Sequence, residues 1–165
     1  MHPLTDLMKM EMALTAEGLQ CFVPKRMRLR TTLRGTRVET YPVVEYYIFV
    51  RAEYQAIRAF KNKGYKLQFI SAIGTKTHAT MKVPDKEMED FIRVSTQEDE
   101  RVKIYRADEI EIPQGQRIRI CGGSLQGVEG TLVRFKGIRD KRLVVTIPGI
   151  MAVSTPVENT FIQLL

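Results

Sequence analysis

QRIRICGGSLQGVEGTLV, residues 116–133, is the stretch on which the fold turns. Arg117–Cys121 alternates polar and apolar side chains, the period of a half-buried strand. Gly122, Gly123 and Gly127 then interrupt it, and Val128–Val133 reads as strand again. Gly122–Gly127 looks superficially like a phosphate loop. It lacks the Gly-x-Gly-x-x-Gly spacing and leads into a strand, whereas phosphate cradles open a helix, so nucleotide binding is rejected. Further strands are expected at Gly130–Lys136, Arg142–Ile147, Met151–Ser154 and near Phe161, separated by glycine or proline turns. Five short strands within about fifty residues predict a small barrel that closes its own edges.

Upstream of this block, Ser95–Arg101 is polar and without apolar period, as a linker would be. The N-terminal part mixes helix and strand. Leu4, Leu7, Met8, Met12, Ala16 and Leu19 recur at helical spacing, with Pro3 in the first turn and Gly18 at the end. Cys21–Val23 predicts a short strand stopped by Pro24. In residues 27–41, Met27, Leu29, Thr31 and Leu33 alternate with Arg28, Arg30, Thr32 and Arg34, which predicts a hairpin with one apolar and one basic face. Its turn is placed at Gly35-Thr36. Val43–Val50 predicts a strand covered on both sides, and 65–73 a further strand. Helices are expected over Glu53–Lys63, with Ala56, Ile57 and Phe60 inward, and from Pro84-Asp85, with Met88, Phe91 and Ile92 inward. The expected class is therefore α+β: an N-terminal mixed α/β sandwich (1–94), a linker (95–111) and a small C-terminal β-barrel (112–165).

The chain has 165 residues and a net charge of +7, from 26 basic and 19 acidic side chains. That balance favours a nucleic acid or another anionic surface as partner. No run approaches the roughly 20 apolar residues of a membrane helix, and no secretory signal is visible. Cys21 and Cys121 have no metal-ligand spacing, and two free thiols suit a reducing cytoplasm. Catalysis finds no constellation: His2 is terminal, and His78 sits in a polar segment without a nucleophile or carboxylate nearby in sequence. Asp85, Glu87, Glu89 and Asp90 are expected to form a solvated helix face. Neither an enzyme nor a cofactor is expected.

Two features carry chemistry instead. Lys25, Arg26, Arg28, Arg30, Arg34 and Arg37 fall in one window with no acidic residue between Lys25 and Val38. Strand alternation puts Arg28, Arg30 and Arg34 on one face at about 7 Å per two residues. Such a row suits a phosphate backbone and would weaken with salt; it could equally protect an edge strand from aggregation. The second feature is aromatic. Tyr47 and Phe49 share one face of the expected strand and Tyr46 the other, which fits either an interface or a core.

Gly115–Ile120 with Gly123–Val133, including Gly130, resembles a KOW motif, and the chain through Thr155–Glu158 resembles the C-terminal SH3-like barrel of NusG-like proteins. Phe22-Val23-Pro24, the basic hairpin, Tyr47–Val50 and Val83–Met88 follow the order of a NusG N-terminal (NGN) domain. The resemblance covers almost the whole chain. It is to NusG-like transcription elongation or antitermination factors, either of the general kind or of the specialised, operon-specific UpxY or RfaH kind. Two departures stand out: Glu45-Tyr46-Tyr47 replaces the family's Pro-Gly-Tyr, and the family's first aromatic strand is missing before the first helix. The resemblance implies that Val44, Tyr47 and Phe49 contact the clamp of RNA polymerase. It places the basic hairpin near upstream or non-template DNA. It also implies that Leu125, Gly127 and Gly130 serve a second partner, Rho or a small-subunit ribosomal protein. A ribosome-associated or RNA-binding KOW protein is the alternative.

Overall fold

The first apolar stripe makes helix α1 (Pro3–Ala16), and Gly18, at φ +74°, reverses the chain behind it. Strands β1 (Gln20–Phe22), β2 (Lys25–Thr32), β3 (Gly35–Pro42) and β4 (Phe49–Arg51) and helix α2 (Tyr54–Asn62) follow. Helix α3 (Asp85–Ser95) precedes β5 (Lys103–Arg106), β6 (Gln116–Ile120), β7 (Glu129–Val133), β8 (Arg142–Ile147), β9 (Met151–Pro156) and β10 (Ile162–Leu164). This is a computed structural model that describes residues 3–71, 79–158 and 161–165, with side chains from residue 6 onward. His2, His78 and Ile73, all singled out in the sequence, lie outside the described residues.

The chain divides into two compact units, Met1–Ile70 and Ser71–Leu165. In the first, β1 pairs antiparallel with β4, and β2 pairs with β3 as a separate two-stranded sheet. Among the described side chains of α1, Leu7 and Leu14 are buried, while Met8 and Met12 are exposed. The inward stripe thus runs through positions 7, 10, 11 and 14 rather than along the expected methionines. Helix α2 matches its expected span. Phe60 is buried, and Gly64, at φ +96°, follows the helix end.

Two expected strands are not formed as read. Within Val43–Val50 only Phe49 and Val50 belong to β4. After β3 the chain turns inward, where the Val43 amide donates to the Pro24 carbonyl at 2.9 Å and the Val44 side chain is buried. The described part of 65–73 forms no ladder beyond one bridge between Ser71 and Thr80. Its rings pack on α2 instead: Tyr65 stacks on Phe60 at 4.1 Å and Phe69 on Tyr54 at 5.1 Å. These aromatic, β-prone residues stack on helix rings and pair with no strand, while Tyr65 and Tyr54 stay exposed.

The second unit is built on one antiparallel sheet in the order β10-β6-β7-β8-β9-β5. β10 and β5 stand at the ends of this order and share no ladder among the described residues. The four strands expected at residues 116–156 form within a few residues of their reading. The segment expected to be a linker is partly structural: β5 pairs with β9, and Ile110 packs against the cluster of Val133, Phe135, Val144 and Ala152. Leu143-Val144-Val145 is buried throughout because β8 is covered on both faces. Ile110, Ile112 and Ile138 pack on the Val144 side, and α3 lies against β8 and β9. So α3, expected to end the N-terminal domain, is part of the second unit, with Phe91 and Val94 fully buried.

Gly130 sits where β7 and β8 come together. A Cβ there would sit 2.5 Å from the Val144 carbonyl oxygen and 2.7 Å from Leu143 Cδ1, so only glycine lets β7 and β8 lie this close.

Candidate nucleic-acid interface

Register decides which arginines share a face. Across β2 and β3, Arg26 stands opposite Tyr41, Arg28 opposite Glu39, and Arg30 opposite Arg37. Opposed residues in an antiparallel pair project to the same side. One face therefore carries Arg26, Arg28, Arg30 and Arg37 around the single carboxylate of Glu39. The other carries Met27, Leu29, Val38 and three threonines. The turn comes two residues earlier than expected, at Leu33-Arg34. Gly35, at φ +116°, opens β3 in a conformation closed to other residues. Arg34 is consequently in the turn, not in the arginine row, and Arg37 takes the place it was expected to hold.

The row is partly neutralised from within. Glu39 accepts from Arg28 Nε at 3.1 Å and from Arg30 Nη1 at 3.1 Å. The hydrogen bond from Arg28 is the main reason its carboxyl lies below the usual glutamate range. Arg28 also lies over the Tyr41 ring, 4.7 Å from its centroid. Burial lowers the Arg26 guanidinium somewhat, which nonetheless stays charged. Lys25, at the base, pairs with Glu11 of α1. Arg30 and Arg37 face each other as like charges, an arrangement that costs stability. Among the described residues, Arg34 and Arg37 form no ion pair. The hairpin thus presents more cationic charge than its own carboxylate can answer.

Its apolar face is equally uncovered. Met27, Leu29 and Val38 are all exposed, and Leu33 at the tip is 109% exposed. Among the described residues, protein packing reaches the hairpin at its base, where Pro42 is buried and β3 touches α1.

The remaining singled-out residues fall in different settings. Val44 is buried, whereas Tyr47 and Phe49 are half-buried and Tyr46 is exposed. In the second unit Leu125 is half-buried, Gly127 is in the left-handed region at φ +85°, and Gly130 is enclosed between strands. The glycine-rich loop is tied to α3. Lys86 Nζ donates to the Gly127 carbonyl at 2.8 Å, Arg93 Nη2 to the Ser124 carbonyl at 2.9 Å, and Ser124 Oγ to Gln97 Oε1 at 3.0 Å.

Three polar residues were not singled out for the roles they hold. Asp90, read as part of a solvated face, is buried; it accepts from Lys86 Nζ at 2.6 Å and from the Glu129 amide at 3.0 Å. Arg142 is buried too. It donates to Ser154 Oγ at 2.9 Å and to the carbonyls of Ser154 and Arg101. Glu39 could have been found by pairing the strands about the correct turn; for Arg142 the sequence holds no such signal. Among the described residues, no three metal-binding side chains come together. No helix among them is long and apolar enough to cross a membrane.

No family model matches the sequence, and no curated protein matches it. Among solved structures, one described as "Domain interaction in Thermotoga maritima NusG" is 19% identical, with 96% of this chain and 88% of that chain covered at a TM-score of 0.43. What the protein does has therefore to be read from its own residues.

Proposed function

We propose that this protein is a NusG-like transcription elongation or antitermination factor, working in the cytoplasm without enzymatic chemistry. It combines an NGN-like N-terminal unit with a KOW-type, SH3-like second unit. The observation that carries the reading is the exposed hairpin with four arginines on one face, at a place in the chain where the sequence resemblance expects a DNA-facing arm. In this reading Arg28, Arg30 and Arg37 approach the phosphates of upstream or non-template DNA. Glu39 holds Arg28 and Arg30 in place until phosphate oxygens replace it. Tyr47 and Phe49, with exposed Tyr46 beside them, contact the polymerase clamp, and Val44 supports them from the interior. Leu125 is the apolar residue of the glycine-rich loop offered to Rho or to a small-subunit ribosomal protein. Gly127 and Gly130 shape that loop and its strand. The factor acts by binding one polymerase conformation better than another, which shifts their populations.

The test is binding of the purified chain to RNA polymerase core enzyme, wild type beside Tyr47→Ala. Wild-type binding that the substitution weakens at least about tenfold supports the reading, since a central aromatic anchor carries interface energy of this size. Tight binding to structured RNA with none to polymerase would replace it with an RNA-binding KOW protein, for which the same arginine face would serve.

A further inference from the structure

The turn at the tip of the hairpin does not dictate which residues occupy its centre: neither Leu33 nor Arg34 has a positive φ, and Gly35 supplies the glycine at the last position. A turn of this kind accepts most residues at its two central positions, polar ones included. Here the turn residues are Leu33 and Arg34, and Leu33 is 109% exposed. A leucine there gains no burial, and its exposure leaves it no packing role in the folded chain. Arg34 adjoins it, and the opposed Arg30 and Arg37 stand two pairs below the last strand pair, Thr32 and Gly35. The tip is held by short-range bonds: Thr32 Oγ1 donates to the Gly35 carbonyl at 3.1 Å, and the Arg34 amide to Thr32 Oγ1 at 3.3 Å. Each strand of the arm has eight residues, a reach of about 26 Å.

We propose that Leu33 is a wedge that enters duplex DNA between two base pairs, with Arg30, Arg34 and Arg37 anchoring it to the flanking phosphates. The inference rests on the nucleic-acid reading of the hairpin and adds the state of DNA that it recognises. An apolar side chain flanked by cations is the form in which proteins enter the minor groove and part a base step. Parting a stacked step costs free energy, so the wedge favours DNA whose stacking is already broken by a bulge, mismatch or junction. Parting a step from the minor groove is a mode of DNA recognition, whereas the wide, shallow minor groove of duplex RNA is recognised by shape and by its 2′-hydroxyls, which makes DNA the favoured duplex.

The experiment measures binding of the full chain to a labelled DNA duplex with a two-adenine bulge, to the same duplex fully paired, and to the bulged duplex in RNA. The wild type is expected to prefer bulged over paired DNA by about tenfold or more. Leu33→Ser should remove that preference while leaving the salt dependence unchanged, and Leu33→Met should retain it. A 2-aminopurine beside the bulge should brighten on binding of the wild type and not of Leu33→Ser. Because residue 33 is wholly exposed, neither substitution touches the packed interior. A preference that survives Leu33→Ser overturns the wedge, as does equal wild-type binding to bulged and paired DNA. Equal preference for the bulged RNA overturns the choice of DNA. Absence of any DNA binding would instead remove the nucleic-acid reading beneath it, and the wedge with it.

Discussion

The β2–β3 hairpin and the six-stranded sheet use the same antiparallel pairing for opposite ends. In β8 every residue but Thr146 is buried, and the alternation of side chains serves two covered faces. In the hairpin both faces meet solvent beyond its base, and the alternation separates arginines from methionine, leucine and valine. The sheet's sequence is accounted for by packing. The hairpin's is not: like charges oppose each other, large apolar groups stay wet, and a leucine occupies the turn. A region whose residues are poor choices for stability, in a chain that packs well elsewhere, points to a role outside the folded chain.

If that contrast is sound, substitutions in the sheet cost much stability and those in the hairpin little. Gly130→Val should have the largest effect. Its new side chain would meet the backbone of β8 at 2.5 Å, and thermal or urea unfolding should show a loss of about 3 kcal/mol or more. Phe91→Ala, which empties a fully buried site under α3, should cost about 3–5 kcal/mol in the same assay. Asp90→Ala should cost about 1–3 kcal/mol, because the Glu129 amide loses its acceptor and Lys86 its partner. Leu29→Ser should change stability by under about 0.5 kcal/mol. A larger loss would mean that the hairpin's apolar face is packed, and the contrast would fail.

Glu39→Gln sharpens the comparison from the other side. It should leave the unfolding midpoint nearly unmoved while strengthening DNA binding several-fold, since Arg28 and Arg30 are released to phosphates. The pH dependence has the same origin. The Glu39 carboxyl is lowered in the folded chain, so its ion pairs are intact above the ordinary glutamate pKa and are lost as pH falls through the lowered one. DNA affinity of the wild type should therefore rise on the acid side of that point, and Glu39→Gln should lack the rise.

Much of the sheet was legible because its strands either alternate or are short β-branched runs, and its turns carry glycine. Arg117–Ile120 and Arg142–Ile147 could be read directly. The hairpin's two faces were equally plain, but its turn was misplaced. Leu33 and Arg34 do not mark a turn by themselves, and Gly35, at positive φ, is the last residue of the turn rather than its centre. Val43–Ile48 and Tyr65–Ile70 misled because apolar, aromatic runs fit a buried strand and a loop packed on a helix equally well. Asp90 was misread for a related reason. On a helix with Lys86 one turn before it, a carboxylate has the look of a solvated pair, and only the approach of the Glu129 amide shows that it is buried. The capture of α3 by the second unit depends on contacts from residue 86 to residue 127, a separation that no local pattern reports.

The most direct test is the salt dependence of DNA binding by the full chain, wild type beside the Arg28→Ala, Arg30→Ala double variant. Each phosphate contact contributes about 0.9 to the slope of log K against log salt concentration. The variant slope should be shallower by about 2, with the fold unchanged by circular dichroism. A double variant that binds DNA with the wild-type affinity and slope would return the arginine face to guarding an exposed ribbon, and the proposed DNA-facing arm would be wrong.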